Sequence, residues 1–546
     1  HLRNAVLGDT FVRVLRATGQ RVEVENYIDN TGVQVADVVV GFMHIERMTL
    51  DDIRALDASL PPERPFDYYC WDLYARVGLF YRDGDPDAKE DPERIALRRQ
   101  TLHDIEHGAS PTAEIADYVA TRVVNCHLDT TERIGVRYDV LPRESEILHF
   151  VWGRAFERLK ESGSIRLEAE GKNAGCWVMP MDTHTSTDEH EADKVIVRSN
   201  GTITYTGKDI GYQLWKLGQL GVDLDYVPFR TYDDGHVVWA TTSTPAAGDD
   251  AGERPHFGGG QKVYNVIDSR QSYTQDVVRK GVAAVSPEVS EDASVHLAYE
   301  MVALSPAAAQ ELGIELNEED RARSFIEMSG RRGLGVKADD LIDRLEANAL
   351  REVESRHPDL SSEEKMRTAH ILAVGALRYF LLKWTRNSLI VFDFDEALST
   401  KGEAGPYCQY AAVRANSIFR NLPTEEPEEA ARLIASAAAA GGEEAAGVRK
   451  VFEGEVGDEI WSLVTLAARL EDVVAQAASA AEPSHLAKYA FQLAQAFNFF
   501  YHRRENRILE EKDTVRRAVL VAVADYVRRR LTAALATLGI EVPERM

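Results

Sequence analysis

The hydrophobic positions at the start of the chain recur at helical spacing. Apolar side chains line one face of residues 1–19, HLRNAVLGDTFVRVLRATG, and Gly19 stands where a helix C-terminus is expected. A short strand pattern at residues 22–27 and a turn at residues 29–32 follow, and a second helical pattern comes next. Because helix, strand, turn and helix in this order are typical of parallel α/β sheets, the chain is predicted to begin in an α/β domain.

The middle of the chain changes pattern twice. Residues 43–142 are helical and rich in aromatic side chains, which predicts an inserted helical subdomain. The α/β order resumes at Phe150. Residues 195–198 and 202–205 flank Ser-Asn-Gly and predict a β-hairpin. A helix is predicted to open at Asp209, so the α/β domain is expected on both sides of the helical subdomain.

The final part of the chain is almost entirely helical and begins with a predicted helix over residues 338–356. Residues 425–447 are rich in alanine and glutamate, which favours a solvated surface insert. A chain of 546 residues is too long for one core, and about three domains are expected. No apolar run reaches the length of a membrane span, so no membrane association is expected.

Two arginines and a serine lie in a glycine-rich loop at residues 325–337, FIEMSGRRGLGVK, directly before the predicted helix. Guanidinium groups offer planar pairs of donors to phosphate oxygens, and glycine lets the backbone approach a phosphate chain closely. The adjoining helix N-terminus adds a partial positive charge. The loop therefore indicates phosphate binding, and an ordinary basic surface turn is the competing interpretation.

The formal net charge of −26 argues against a sequence-independent nucleic-acid binder, because such binding depends on neutralising phosphates. It is compatible with a specific RNA held by local basic patches, since repulsion elsewhere suppresses non-specific contacts. Arginines cluster near the end of the chain, at positions 503, 504, 507, 516, 517 and 528–530. An RNA-facing surface and a solvated helix face both explain these clusters.

The cysteines are far apart and form no CxxC pair; they are Cys70, Cys126, Cys176 and Cys408. This spacing indicates neither a zinc site nor a disulfide framework, so no bound metal is expected from them. A reducing, cytoplasmic compartment is most compatible with so few cysteines in a chain of this length.

Several segments resemble one known family. HLRNAVLGD resembles the stretch that begins at the second histidine of the HIGH motif of class I aminoacyl-tRNA synthetases. MSGRRG resembles the KMSKS loop in the form found in arginyl-tRNA synthetases. Further segments are similar to that family and follow its order, namely TYTGKDIGYQLWK, NVIDSRQSYTQ, GVKADDLID, ALRYFLLKWTRN, FDFDEALSTKGEAGPYCQYA and LGIEVPERM. The resemblance runs from His1 to Met546.

The resemblance implies an α/β fold with a Rossmann-type parallel-sheet catalytic domain, a helical insertion and an all-α anticodon-binding bundle. The implied domains are residues 1–45 (first part of the catalytic domain), 46–148 (helical insertion), 149–300 (second part of the catalytic domain), 301–360 (KMSKS-like loop and connecting helices) and 361–546 (helical, DALR-type anticodon-binding domain). The implied activity is that of an arginine–tRNA ligase, which uses ATP with Mg²⁺ to form arginyl-adenylate and transfers L-arginine to the 3′ end of tRNA(Arg). A cytoplasmic monomer is expected.

The resemblance also assigns residues to roles. The implied catalytic residues are His1, Ser329, Arg331 and Arg332. The implied ATP-binding residues are His1, Gly32, Gln34, Met328 and Ser329. The implied arginine-binding residues are Tyr205, Asp209 and Gln271. The implied tRNA-binding residues are Arg503, Arg504, Arg528, Tyr407 and Met546. Asp209 as a helix N-cap and Tyr205 as a sheet-packing residue are the competing interpretations.

Some positions depart from the family pattern. Gly330 follows the serine where the motif has a lysine, and Glu327 replaces the first lysine. The first half of HIGH and the preceding asparagine and lysine are absent, so an N-terminally truncated chain is expected. Two alternatives stay open: a catalytically impaired tRNA-binding fragment, and another class I synthetase such as the cysteinyl enzyme. The absence of a cysteine and histidine zinc constellation speaks against the second.

Overall fold

The computed structural model describes residues 1–85, 87–108, 110–180, 193–243, 255–289, 291–327 and 335–546. These residues form two compact units. The helical unit comprises His1–Val22, Arg133–Val136 and Tyr299–Met546, and the α/β unit comprises Glu23–Glu132 and Arg137–Ala298.

The helices of the described residues share amphipathic patterns, and polar N-caps begin many of them. In chain order they are α1 Leu2–Ala17, α2 Val33–Val40, α3 Leu50–Ser59, α4 Phe66–Phe80, α5 Pro92–His107, α6 Pro111–Arg133, α7 Glu144–Phe150, α8 Trp152–Glu161, α9 Tyr205–Lys216, α10 Ser272–Val285, α11 Pro306–Glu311, α12 Glu318–Ala322, α13 Ala338–Arg356, α14 Ser362–Leu382, α15 Phe394–Ala397, α16 Gly405–Arg420, α17 Glu426–Ala440, α18 Gly442–Val451, α19 Gly454–Ala468, α20 Leu470–Ser479, α21 Ser484–His502 and α22 Thr514–Thr537. Within the described ranges, none of them is both long and apolar enough to cross a bilayer.

The strands of the described residues are short. They are β1 Val140–Leu141, β2 Arg166–Leu167, β3 Trp177–Pro180, β4 Asp193–Val197, β5 Asp225–Thr231, β6 Val237–Thr242, β7 Val263–Asp268, β8 Ser294–Tyr299, β9 Val302–Leu304 and β10 Ile390–Phe392. Between them they form four small sheets, in the orders β1-β6-β5, β2-β3-β4, β7-β8 and β10-β9.

Parallel pairing is the basis of the sheet that begins the α/β unit. β1 runs parallel to β6, with Val140 opposite Trp239, and β5 adds an antiparallel edge. Parallel bridges from Glu25 to Val140 and from Ile28 to Arg143 extend the parallel side. Helices and a parallel sheet in one chain, followed by a helical bundle, confirm the predicted fold class.

Two local predictions about strands and helix starts were wrong in detail. Residues 22–27 contain a single bridge, from Glu25 to Val140, and do not form a continuous strand. The predicted hairpin, by contrast, is confirmed as a short antiparallel pairing: Val197 bridges to Ile203, and the Arg198 N–H donates to the Thr202 carbonyl, while β4 also pairs with β3. The next helix begins at Tyr205, not at Asp209, because the Thr204 side chain accepts the hydrogen bond from the backbone N–H of Gly207 and caps it.

The helical insertion has its own core. Phe42 stacks on Phe66 and Tyr69 at ring-centroid distances of 6.0 and 5.9 Å. A buried ion pair holds α5 to α2: the Arg98 guanidinium donates to both oxygens of Asp37 at 2.7 and 2.9 Å. This part of the chain is helical, with helices α3–α6 preceded by a π-helical turn at Gly41–Glu46, and its status as a separate subdomain stays a prediction.

Two helices of the helical unit have the boundaries that the sequence predicts. α1 ends two residues before Gly19, which has a positive φ of 82°, and α13 spans the predicted residues 338–356. Residues 425–447 form α17 and α18, and most of their side chains are exposed, as a solvated surface segment predicts. Ala430 and Ala437 of α17 are buried, and Glu426 accepts a hydrogen bond of 2.6 Å from Arg517 of α22.

A fully buried arginine joins distant parts of the helical unit. The Arg378 guanidinium donates to the carbonyl oxygens of Leu538 and Ile134, each at 2.8 Å. It also donates to Asp9 Oδ2 at 2.5 Å and to Thr10 Oγ1 at 3.1 Å. Because a buried charge is tolerated only when its donors are satisfied, this network fixes α1, α14 and the end of α22 to one another.

Replacing this arginine should destabilise the protein strongly. In the Arg378→Met variant, Asp9 and two carbonyl oxygens lose their donor, and the free energy of unfolding is expected to fall by about 3–5 kcal/mol. Urea unfolding followed by circular dichroism measures the change. Arg432→Met is the control, because its contact with Glu428 is exposed and 3.7 Å long, and it should cost less than about 1 kcal/mol. Equal unfolding midpoints for the two variants would contradict the assignment.

Candidate functional site

The first turn of α9 carries two of the predicted site residues. Thr204 caps the helix, so Tyr205 and Asp209 follow one turn apart and lie near each other on one side of its N-terminal end. The Tyr205 ring is 63% exposed, whereas Asp209 is half-buried. Asp209 lies inside the helix and is not its N-cap, and Tyr205 is not packed in a sheet, so both competing interpretations of these residues are wrong.

A buried carboxylate that the sequence did not single out lies beside this turn. Glu144 at the start of α7 is 3% exposed. It accepts hydrogen bonds from Lys208 Nζ at 2.6 Å, Thr31 Oγ1 at 2.9 Å and Tyr27 Oη at 3.1 Å. Lys208 is therefore paired with Glu144 rather than with its helix neighbour Asp209.

Because Lys208 is paired with Glu144, it does not form an ion pair with Asp209. Burial first, and then the charge of Glu144, raise the pKa of Asp209 to about 6. Lys216 and Lys208 oppose the shift from a distance. Lys216 itself donates to Asn265 Oδ1 at 2.7 Å, and burial lowers its pKa. A half-buried carboxylate without a direct cationic partner is suited to binding a cation, and a planar guanidinium can satisfy both of its oxygens.

Gln271 lies at the exposed start of α10, outside this acidic turn. α10 packs closely on α9, because a Cβ at Gly281 would lie 2.9 Å from the Ile210 side chain. The amide that links α9 to the neighbouring strand β7 is Asn265, which accepts from Lys216 and donates to Gln275 at 3.1 Å. Asn265 is the first residue of the NVIDSRQ segment, and this place in the segment is the signal in the sequence that could have found it.

Gly32, one of the predicted ATP-binding residues, lies against a carboxylate that leaves no room for a side chain. Gly32 is the N-cap of α2, and Asp29 accepts hydrogen bonds from the backbone N–H groups of Gly32 and Thr31. A Cβ at Gly32 would lie 2.4 Å from Asp29 Oδ2, so only glycine fits. Gln34 is exposed on the first turn of α2. The Asp29 carboxylate therefore occupies the space beside Gly32.

Of the remaining residues predicted to act on phosphate groups, the structure describes His1 but not the four residues of the glycine-rich loop. His1 is exposed and directly precedes α1, in the helical unit. Residues 328–334 of the glycine-rich loop fall outside the described residues, and this applies to Met328, Ser329, Arg331 and Arg332.

The predicted arginines of the terminal bundle are mostly neutralised by nearby carboxylates. Arg503 donates to Glu459 through Nε at 2.6 Å, and Arg528 donates to Asp525 at 2.6 Å. Arg504 is exposed. For Arg503 and Arg528 the solvated, ion-paired helix face is therefore the better description of the free protein.

The two predicted non-basic residues occupy partly covered positions. The Tyr407 ring packs against Phe491 at a centroid distance of 5.3 Å and is half-buried. Met546 is also half-buried. Each therefore presents only part of its surface to solvent.

A different arginine of the bundle is framed by aromatic rings. The Arg414 guanidinium lies over Tyr410 and Tyr501, 4.5 and 4.8 Å from the ring centroids. It donates to Asn498 Oδ1 at 2.7 Å and contacts His502 Nε2 at 3.0 Å. These neighbours carry no negative charge. The cluster combines a cation with flat apolar faces, which suits unpaired nucleotides.

Exposed aromatic rings continue this cluster towards solvent. Phe499 is 69% exposed and Tyr501 is 38% exposed, both near the end of α21. The sequence signal that could have found the cluster is the pair of aromatics in FFYH together with Tyr410 and Arg414, four residues apart on α16.

The chain is similar to proteins of one kind along its full length. Residues 408–546 match the family described as the DALR anticodon binding domain. The arginine–tRNA ligase of Pyrococcus abyssi is 33% identical over 549 residues, which cover 100% of this chain and 78% of that protein. The arginine–tRNA ligase of Deinococcus radiodurans is 31% identical over 557 residues, covering 100% and 80%.

Solved structures show the same similarity. The arginyl-tRNA synthetase of Thermus thermophilus matches with a TM-score of 0.76 at 27% identity, covering 100% of this chain and 79% of that one. The arginyl-tRNA synthetase of Plasmodium falciparum shares the fold, with a TM-score of 0.63 at 14% identity and coverage of 100% and 74%.

The raised pKa of Asp209 gives a testable stability effect. The folded pKa of about 6 exceeds the usual value of 3.8, so the folded state holds this proton more tightly than the unfolded state and loses stability as the pH rises through that range. Asp209→Asn should therefore stabilise the protein by about 1–2 kcal/mol at about pH 7.5 and have little effect at about pH 4, because that variant has no proton to release. Denaturant unfolding at both pH values measures this. Equal stabilisation at both would contradict the shift.

Proposed function

Because this chain belongs to the arginyl-tRNA synthetase family and is an arginine–tRNA ligase, we propose that the acidic turn at the start of α9 is its arginine pocket. The Asp209 carboxylate pairs with the substrate guanidinium. The exposed Tyr205 ring covers the guanidinium plane through a cation–π contact. Gln271, at the start of the neighbouring helix α10, completes the pocket as the family resemblance implies.

One observation carries this proposal. Lys208 is bound to Glu144, while Asp209, one residue further along α9, keeps a pKa of about 6 and forms no ion pair with any residue that the structure describes. Glu144 is a positioning residue, since its three hydrogen bonds hold Lys208, Thr31 and Tyr27 in place. An incoming guanidinium supplies the missing charge and lowers the pKa of Asp209.

The reaction proceeds in two steps for which we propose further residues. The carboxylate of arginine attacks the α-phosphorus of ATP, which enters with Mg²⁺, and pyrophosphate leaves. A hydroxyl of the terminal ribose of tRNA(Arg) then takes the arginyl group, and AMP leaves. His1, Gly32, Gln34, Met328 and Ser329 are the proposed ATP-binding residues. His1, Ser329, Arg331 and Arg332 are the proposed catalytic residues, because positively charged and N–H donors stabilise the charge that develops on phosphate oxygens.

For tRNA we propose two sets of contacts in the helical unit. The aromatic cluster around Arg414, with Phe499 and Tyr501, stacks unpaired anticodon bases. Its support is its location within residues 408–546, which match the anticodon binding domain. The residues implied by resemblance contribute backbone and base contacts; they are Arg503, Arg504, Arg528, Tyr407 and Met546. Arg503 and Arg528 exchange their carboxylate partners for phosphates.

The proposed organisation follows the predicted boundaries. The catalytic domain comprises residues 1–45 and 149–300, the insertion residues 46–148, the loop and connecting helices residues 301–360, and the anticodon-binding domain residues 361–546. We propose that the enzyme acts as a monomer in the cytoplasm, where its substrates for protein synthesis are found.

The arginine pocket is tested by removing its charge. Asp209→Asn should weaken arginine binding at least about 100-fold, equivalent to about 3 kcal/mol, because the guanidinium loses its carboxylate. In the native protein, affinity should fall as the pH drops through about 6, where Asp209 becomes protonated. Calorimetry with L-arginine and arginine-dependent ATP–pyrophosphate exchange in the presence of tRNA measure both effects.

The control for this test is another acidic residue of the α/β unit. Asp223 is exposed beside His256, and Asp223→Asn should leave arginine affinity and its pH dependence unchanged. Tight arginine binding by Asp209→Asn, or an affinity that does not change between about pH 5 and 7.5, would exclude Asp209 as the guanidinium partner.

The anticodon contacts are tested by removing exposed rings. Phe499→Ala and Tyr501→Ala should each weaken tRNA binding by about 1–3 kcal/mol and leave the salt dependence of the affinity unchanged, because stacking releases no counterions. Arginine binding should stay normal. The control is Trp461→Ala, which removes an equally exposed ring of α19 outside the Arg414 cluster. Loss of affinity in the control alone would place the tRNA elsewhere on the bundle.

A further inference from the structure

The last turn of α5 carries two histidines on its exposed side. His103 and His107 are four residues apart, and their rings stack at a centroid distance of 3.9 Å with an interplanar angle of 22°. The ion pair between Arg98 and Asp37 anchors the same helix one turn earlier. Two imidazoles are thus presented side by side by one anchored element, in a part of the chain that the proposed aminoacylation chemistry does not use.

Only the His107 ring is held by a hydrogen bond through Nδ1, because the corresponding separation at His103 is too long for one. His107 Nδ1 lies 2.7 Å from the carbonyl oxygen of His103, and His103 Nδ1 lies 3.6 Å from Asp104 Oδ1. A neutral imidazole that donates Nδ1–H to an oxygen carries its free lone pair on Nε2. Metal-bound histidines in proteins usually have this arrangement, with a carbonyl or carboxylate fixing the ring from the opposite side.

The local electrostatics favour a cation. The pair lies at the C-terminal end of α5, where the helix carbonyls create a partial negative charge. Asp104 and Glu106 add carboxylates on the same turn, and Arg99 on the preceding turn is the basic group that opposes them. The negative charge of two carboxylates and a helix C-terminus outweighs the positive charge of one exposed guanidinium. A cation is therefore attracted to this end of α5.

We propose that His103 and His107 form a binding site for one divalent cation that prefers imidazole, of the zinc, nickel and copper class. The stacked rings hold their Nε2 lone pairs nearly parallel, so one of the two exposed rings rotates to bring both Nε2 atoms to the cation, and water fills the remaining positions. Across the described ranges no group of three or more metal-ligating side chains is arranged around one point, so this is an open site with two protein ligands. The Mg²⁺ that accompanies ATP is excluded because it prefers oxygen ligands.

The bound cation links two successive turns of α5 and stabilises the end of the helix before Gly108, which adopts a positive φ of 76°. The effect is local. Exchange of the backbone amides around residues 103–107 should slow when the cation binds, while the arginine pocket on α9 stays unchanged.

Zinc binding to the full chain tests the site. Zn²⁺ titrated calorimetrically into the native protein should show one binding site more than in the His103→Gln, His107→Gln double variant, and each single variant should bind at that site about tenfold more weakly or worse. Hydrogen exchange followed by mass spectrometry should show zinc-dependent protection of the peptide around residues 99–108 in the native protein only. Mg²⁺ should produce neither effect.

A matched control is available in the same unit. His256 is exposed, and its Nδ1 lies 3.3 Å from Asp223 Oδ1, yet it has no second imidazole beside it. His256→Gln should keep the full zinc stoichiometry and the protection of α5. The proposal is overturned if the native protein and the double variant take up the same number of zinc ions, or if zinc leaves the exchange of the α5 peptide unchanged.

Discussion

The ion pair between Lys208 and Glu144 determines what the acidic turn of α9 can bind. Because the ammonium is held by a buried carboxylate at 2.6 Å, it cannot neutralise Asp209, the next residue on the helix. Asp209 therefore stays half-buried with a raised pKa, and a bound cation would stabilise its ionised form. The raised pKa makes this carboxylate less stable, and in the proposed pocket the substrate guanidinium is the group that neutralises it. Stability and recognition are thus opposed at this one residue.

In the helical unit, too, the partners of each basic group determine whether it can bind a ligand. The chain is strongly acidic, and the arginines that stand out in its sequence are ion-paired on the surface. Arg414 differs because its neighbours are aromatic rings and uncharged polar groups. A basic group that is framed by rings retains its charge in an acidic protein. A nucleic acid is then recognised locally, and general attraction to phosphates is suppressed.

Features that depend on local spacing were predictable from the sequence, and features that depend on distant partners were not. The ends of α1 and α13 followed from helical periodicity and a terminal glycine. Residues 22–27 were predicted as a strand, but their single bridge is set by a partner at residue 140. The family resemblance identified Asp209, whereas Glu144 was missed because its importance arises only from three contacts with residues far along the chain.

The buried network of Arg378 also has a consequence for synthesis on the ribosome. Asp9 is translated 369 residues before Arg378, and the carbonyl of Leu538 comes 160 residues after it. At roughly 5–20 residues per second, α1 emerges roughly 20–70 s before the guanidinium that will hold it. During that interval its apolar face lacks its final partners and is a target for chaperones. α1 is therefore among the last helices of this unit to gain all of its contacts.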